Sequence, residues 1–128
     1  MELEIVLDLH ADIPIYEQIH NQIRDQILSG KLPAGQSIPS MRALAKMLRV
    51  SVLTVQKAYE ILREEGYIES MVGRGTIVAE VSKERILETN RQEVENLLLE
   101  ACRKAISSQI SLEEMKSIME LFYQEEMK

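Results

Sequence analysis

Two apolar patterns of helical period stand almost end to end in this chain, and few arrangements other than a crossed helix pair can bury both. Met41, Leu44, Ala45, Met47 and Leu48 make the first pattern. Val55, Ala58, Tyr59 and Leu62 make the second, in a helix predicted from about Val52 to Glu65. Ser40 and Ser51 stand just ahead of each, where a hydroxyl caps a free backbone N–H of the first turn. Only a very short turn fits between. Where two such helices cross, the first needs a small residue and the second a β-branched apolar one. Ala45 and Val55, ten positions apart, supply them. Such turns often hold glycine, whereas this one holds Arg49. Either Arg49 takes a left-handed backbone, at a cost of roughly 1 kcal/mol, or the turn has another shape.

The charge pattern says what such a pair could meet. The 128 residues carry 15 Lys and Arg against 21 Asp and Glu, a net charge of −6, so the molecule as a whole repels a polyanion. From Gln26 to Tyr59, however, there is no acidic residue at all, while Lys31, Arg42, Lys46, Arg49 and Lys57 all fall in that stretch. A locally positive face on a helix-turn-helix points to nucleic acid. With four Tyr, one Phe and no Trp, the chain has little with which to stack unpaired bases, so duplex is the expected target.

The flanking segments complete a winged helix. After a polar-apolar lead (residues 1–12), Pro14 suits a first helical turn, and Ile15, Ile19, Ile23 and Ile27 follow at four-residue steps. Gly30 and Pro33 stop that helix near Ser29, and residues 31–39 read as a loop. Gly66 closes the third helix. A β-hairpin is expected next, running into the β-branched stretch Thr76, Ile77 and Val78, with Gly73, Arg74 and Gly75 at its turn. Beyond Glu80, Leu87, Val94, Leu97, Leu98, Ala101 and Ala105 stripe one helix, and Leu112, Met115, Ile118, Met119 and Phe122 stripe another that Ser111 and Glu114 open as a capping box. The expected fold is mainly α with one small hairpin: a winged helix-turn-helix domain over residues 1–80, then a two-helix region over 81–128. Two helices this short cannot bury both apolar faces unaided, so they must pack on the first domain or on a second copy.

Other functions find little support. No apolar run is long enough to cross a bilayer, and the acidic start lacks the positive region of a secretory signal, which together predict a cytoplasmic protein. Cys102 is the only cysteine and is expected to pack on an apolar helix face; His10 and His20 lack a second ligand at helical spacing. No cofactor or metal is expected. Neither a nucleophile paired with a base nor a phosphate-binding loop occurs, so an enzyme is not expected. The competing reading is a winged helix used for protein–protein contact, against which Arg42, Arg74 and the acid-free stretch argue.

The residues resemble the N-terminal domain of the GntR family of bacterial transcription regulators over roughly residues 10–80. The likeness is carried by Pro14 to Ile19, Ser29 to Gly35, Pro39 to Ala45, Val50 with Ser51, Thr54 with Val55, Ala58 with Tyr59, Leu62, Glu65 with Gly66, and Gly73 to Thr76. The short tail is similar to the YtrA-type subfamily, which implies a homodimer joined through its two C-terminal helices, at Leu87, Val94, Leu97, Leu98, Ala101, Leu112, Met115, Met119 and Phe122. It implies control of the protein's own operon or a transporter operon, as a repressor on a palindromic duplex operator. A small-molecule effector is not identified by the sequence.

The resemblance also implies roles for single residues. Arg42 matches a position the family uses on DNA, and its guanidinium fork suits guanine or phosphate. Ser51 and Thr54 suit phosphate, Gln56 suits adenine and Lys57 adds charge toward the backbone. Gly73, Arg74 and Gly75 match the wing tip, where an arginine suits the narrow, electronegative minor groove. Val52 and Leu53 depart from the polar residues of many relatives. They either contact thymine methyls or pack against the wing or the second helix.

Overall fold

The computed structural model describes residues 3–128. Met1 and Glu2, part of the acidic start, lie outside the described residues. In order along the chain come α1 (Ile15–Leu28), α2 (Met41–Leu48), α3 (Val52–Glu64), β1 (Ile68–Met71), β2 (Gly75–Val78), α4 (Lys83–Ser107) and α5 (Leu112–Glu126). The chain divides into two compact units, one ending at Lys83 and the other beginning at Glu84.

In the first unit α1 and α2 both pack on α3, and the apolar patterns read above converge on one core. Ile19, Ile23, Val55, Ala58, Tyr59 and Leu62 have no exposed surface, and each of the larger aliphatic ones gains roughly 1.5–3 kcal/mol from burial. Leu32, Leu44, Ala45, Ile68 and Val78 close the core between the helices and the hairpin. The hydroxyl of the fully buried Tyr59 donates to the Pro39 carbonyl at 2.7 Å. Burial holds this phenol well above its usual pKa, so it stays protonated and remains a donor.

Pro14 stands one position earlier than the sequence placed it, as the cap of α1 with ψ 149°. Its carbonyl accepts from the N–H groups of Glu17 and Gln18 at 3.1 Å. The lead before it is held in a way the sequence reading missed. Gln18, Gln22 and Gln26, one turn apart along α1, each make two bonds to the main chain of a residue in the lead. The Asp8, Val6 and Glu4 N–H groups donate to their side-chain oxygens at 2.9, 2.9 and 3.3 Å, and the carbonyls of the same residues accept from their amide nitrogens at 2.9, 2.7 and 2.6 Å. Four helical residues rise roughly 6 Å and two extended residues roughly 6.6 Å, so the two repeats stay in step over this length. Side-chain amides here act as a strand would, while Leu3, Ile5 and Leu7 pack against the core.

The stretch read as a loop, residues 31–39, is a loop only in its first half. Gly35 N–H donates to Val78 O at 2.8 Å, Val78 N–H to Gln36 O at 2.9 Å and Ile38 N–H to Thr76 O at 3.0 Å, with Ser37 bridged to Ile77. This segment therefore lines the edge of β2 and ties the base of the hairpin to the start of α2. Gly35 and Pro39 concealed the short extended run between them.

Three helices end alike. Val50 N–H reaches back to Ala45 O at 3.0 Å, Tyr67 N–H to Leu62 O at 2.9 Å and Ile110 N–H to Ala105 O at 2.8 Å. The residue before each is left-handed: Arg49 at φ 58°, Gly66 at φ 82° and Gln109 at φ 62°. In every case the donor is an apolar residue at least partly buried. Its burial offsets the left-handed conformation of a side chain that is not glycine.

The second unit is a helical hairpin, α4 and α5. Ser111 Oγ accepts from Glu114 N–H at 3.1 Å, as the capping-box spacing predicted. Ala105 is its only buried residue. Cys102, expected to pack, is exposed, because the hairpin covers so little of its own surface.

Candidate nucleic-acid interface

The candidate surface is built from two serine caps and one left-handed arginine. Ser40 Oγ accepts from Ala43 N–H and Ser51 Oγ from Thr54 N–H, both at 3.1 Å, which sets where α2 and α3 begin. Between the helices Arg49, at φ 58° and ψ 47°, makes the turn. Of the two alternatives the sequence left open, this is the strained arginine. The sharp reversal puts the start of α3 at the surface while its far side is sealed against α1 and α2.

The sequence-derived candidates divide by what they already hold. Arg42 is exposed and has no hydrogen bond or ion pair among the described residues. Ser51 and Thr54 are bonded to each other, hydroxyl to hydroxyl at 2.7 Å, in addition to the cap. Gln56 donates to Glu60 Oε1 at 3.0 Å. Lys57 holds its ammonium 4.0 Å from the centre of the Tyr16 ring, a cation–π contact between α3 and α1. Val52 is 38% exposed and Leu53 75% exposed. Packing against the wing or α2 is therefore excluded as the role of Leu53. Met47, counted in the apolar face of α2, is exposed as well.

At the wing, Met71 pairs with Gly75, leaving Val72, Gly73 and Arg74 as the turn. Arg74 N–H donates to Met71 O at 3.0 Å, and Gly73 and Gly75 have φ of 82° and 73°, values that a residue with a Cβ takes only under strain. The Arg74 side chain bends back so that Nη2 donates to Gly35 O at 2.6 Å. One of its five N–H donors is thus used, which orients the guanidinium and leaves the others available. Val72 is fully exposed at the tip. The sequence reading passed over it, and no spacing would have singled it out.

Residues 15–78 match the model of the gntR family of bacterial regulatory proteins. The chain belongs to that family. It is 36% identical over 101 residues to the HTH-type transcriptional repressor YtrA of Bacillus subtilis (strain 168), a match spanning 76% of this chain and 78% of that one. Among solved structures, YtrA from Sulfolobus acidocaldarius, a GntR-family transcription factor, is 34% identical and aligns over 94% of this chain and 97% of its own with a TM-score of 0.57. The DNA-binding domain of AraR, solved in complex with operator ORX1, is 32% identical and covers 62% of this chain and 99% of its own, with a TM-score of 0.52. Several longer curated regulators match through only 15–17% of their own length. The chain is thus a winged helix-turn-helix transcription regulator of the YtrA type. No helix among the described residues is long and apolar enough to cross a membrane.

Proposed function

We propose that this protein is a cytoplasmic, homodimeric repressor that occupies a palindromic duplex operator through two copies of its winged helix. The observation that carries the reading is the acid-free surface of α2 and the start of α3 in a molecule of net charge −6, with Arg42 exposed and uncommitted on it. In this mode the beginning of α3 enters the major groove, the caps and Arg42 meet phosphate or guanine, and Arg74 reaches the minor groove beside it. The repressor named YtrA and the operator-bound AraR domain support the mode through their likeness to this chain.

Dimerisation supplies the second half-site. The α4–α5 hairpin exposes Leu87, Val94, Leu97, Leu98, Leu112, Met119 and Phe122; Ala101 is exposed too and Met115 half-buried. A second copy would cover that stripe. A family of regulators gives no role to catalysis, and the proposal includes none.

Selection of bound sites from random duplexes tests the reading directly, with an inverted repeat as the expected product. On such a site, Arg74→Ala should weaken binding by about 1–3 kcal/mol in a gel-shift titration at fixed salt. Unchanged affinity would remove the wing from the interface.

A further inference from the structure

Resting on the DNA-binding reading, we infer that Leu53 reads a thymine methyl group, so that each operator half-site carries a T·A pair opposite the start of α3 whose C5-methyl is required. With about 100° of turn per residue, Leu53 lies nearly opposite the buried line of Val55, Ala58, Tyr59 and Leu62, facing straight out of the domain. Lys57, Glu60 and Glu64 continue the same outward line. The two carboxylates repel phosphate, so only the first two turns of α3 can sit deep in a groove.

Within those turns the polar side chains are engaged. Ser51 and Thr54 bond each other and the cap, Gln56 holds Glu60 and Lys57 lies over Tyr16. Freeing Gln56 for a base would also release the Glu60 carboxylate beside the DNA. What projects without a partner is Leu53, 75% exposed, with Val52 next to it. Arg42, Lys46 and Arg49 are exposed in the same acid-free stretch, whose charge suits a polyanion and not an apolar protein surface.

A leucine offers a base edge no hydrogen bond. Against guanine, adenine or cytosine in the major groove it would strip water from donors and acceptors and return nothing. The thymine methyl is the one apolar group displayed there, and the only one that gains from meeting Leu53.

The test uses the full chain and a site selected from random duplexes. Each T·A pair of the half-site is replaced in turn by deoxyuridine·A, which deletes only the methyl, and by C·G or 5-methylcytosine·G, which respectively omit and restore the methyl on a different base edge. At one or two positions the deoxyuridine duplex should bind less tightly, on the order of fourfold per methyl lost, and 5-methylcytosine should bind better than cytosine. Leu53→Ala, an exposed change whose fold is checked by thermal unfolding, should bind the thymine and deoxyuridine duplexes alike. Equal affinity of the unaltered protein for both, at every position, would overturn the inference while leaving DNA binding intact. So would a Leu53→Ala protein that still discriminates. Failure to enrich any duplex would overturn both this inference and the reading beneath it.

Discussion

The two units of this chain use the same kind of amphipathic helix and reach opposite results. In residues up to Lys83, three helices, a hairpin and a strand-like lead surround one another, and Ile19, Ile23, Tyr59 and Leu62 lose all contact with solvent. From Glu84 onward there are two helices, and one alanine, Ala105, is buried. The apolar stripe is as regular in the second unit as in the first. What differs is the number of faces available to cover it. A sealed core needs neighbours on every side, and the stripe residues Leu87, Val94, Leu97, Leu112 and Phe122 stay mostly exposed. The difference separates a part with a sealed core of its own from a part that leaves its apolar stripe uncovered.

The largest effect that would sharpen this contrast lies in the second unit. Leu97→Asp combined with Phe122→Asp should give a monomer by sedimentation and lower affinity for a two-half-site operator by roughly 100-fold or more. Hydrogen exchange at Ile19 and Tyr59 should stay as slow as before. If the double variant remained a dimer, the comparison would fail, since the stripe would then serve another purpose.

In the first unit a single atom should matter. Tyr59→Phe removes the donor to the Pro39 carbonyl and should cost about 1–3 kcal/mol of stability, read as a lowered midpoint of thermal unfolding. A smaller loss, about 0.5–1.5 kcal/mol, is expected for Gln22→Ala, because the Val6 main chain it holds is open to water. Faster exchange of the Val6 amide, with the core unaffected, would show that the glutamine ladder acts locally.

Arg49→Gly should have the smallest effect. It relieves a left-handed arginine worth roughly 1 kcal/mol but adds chain entropy to the unfolded state, for a net gain of a few tenths of a kcal/mol. A marked loss of stability, seen in the same unfolding measurement, would mean that the Arg49 side chain contributes more than its backbone costs.

Much of the first unit was legible because its signals are local. The four-residue steps of isoleucine in α1, the serine caps of α2 and α3 and the glycines of the wing turn each specify their own few residues, and all stand where the spacing put them. The packing of α2 on α3, with Ala45 and Val55 both buried, was legible as well, since two helices joined by so short a turn have little choice of partner. Two features were not. The segment at residues 35–38 forms its bonds with residues about forty positions later, and no pattern in four residues announces a partner that distant. Nothing about the glutamines of α1 in the sequence marks them as partners for the lead that lies along them.

The candidate site divides the same way. Helical period put Thr54, Gln56 and Lys57 away from the buried face of α3 but left Leu53 between contact and packing; the folded chain exposes Leu53, and Arg42 on α2 as well. Which of them are free to act was decided only by the folded chain: Lys57 over Tyr16, Gln56 on Glu60, Arg74 on the Gly35 carbonyl. Sequence alone determined the helices, their caps, the acid-free stretch and the apolar stripe of the tail, because each depends on neighbours within a turn or two. The tertiary structure decided the third edge of the wing, the seat of the lead and the commitments of the polar side chains, because those energies arise between groups that come together only after the chain has folded.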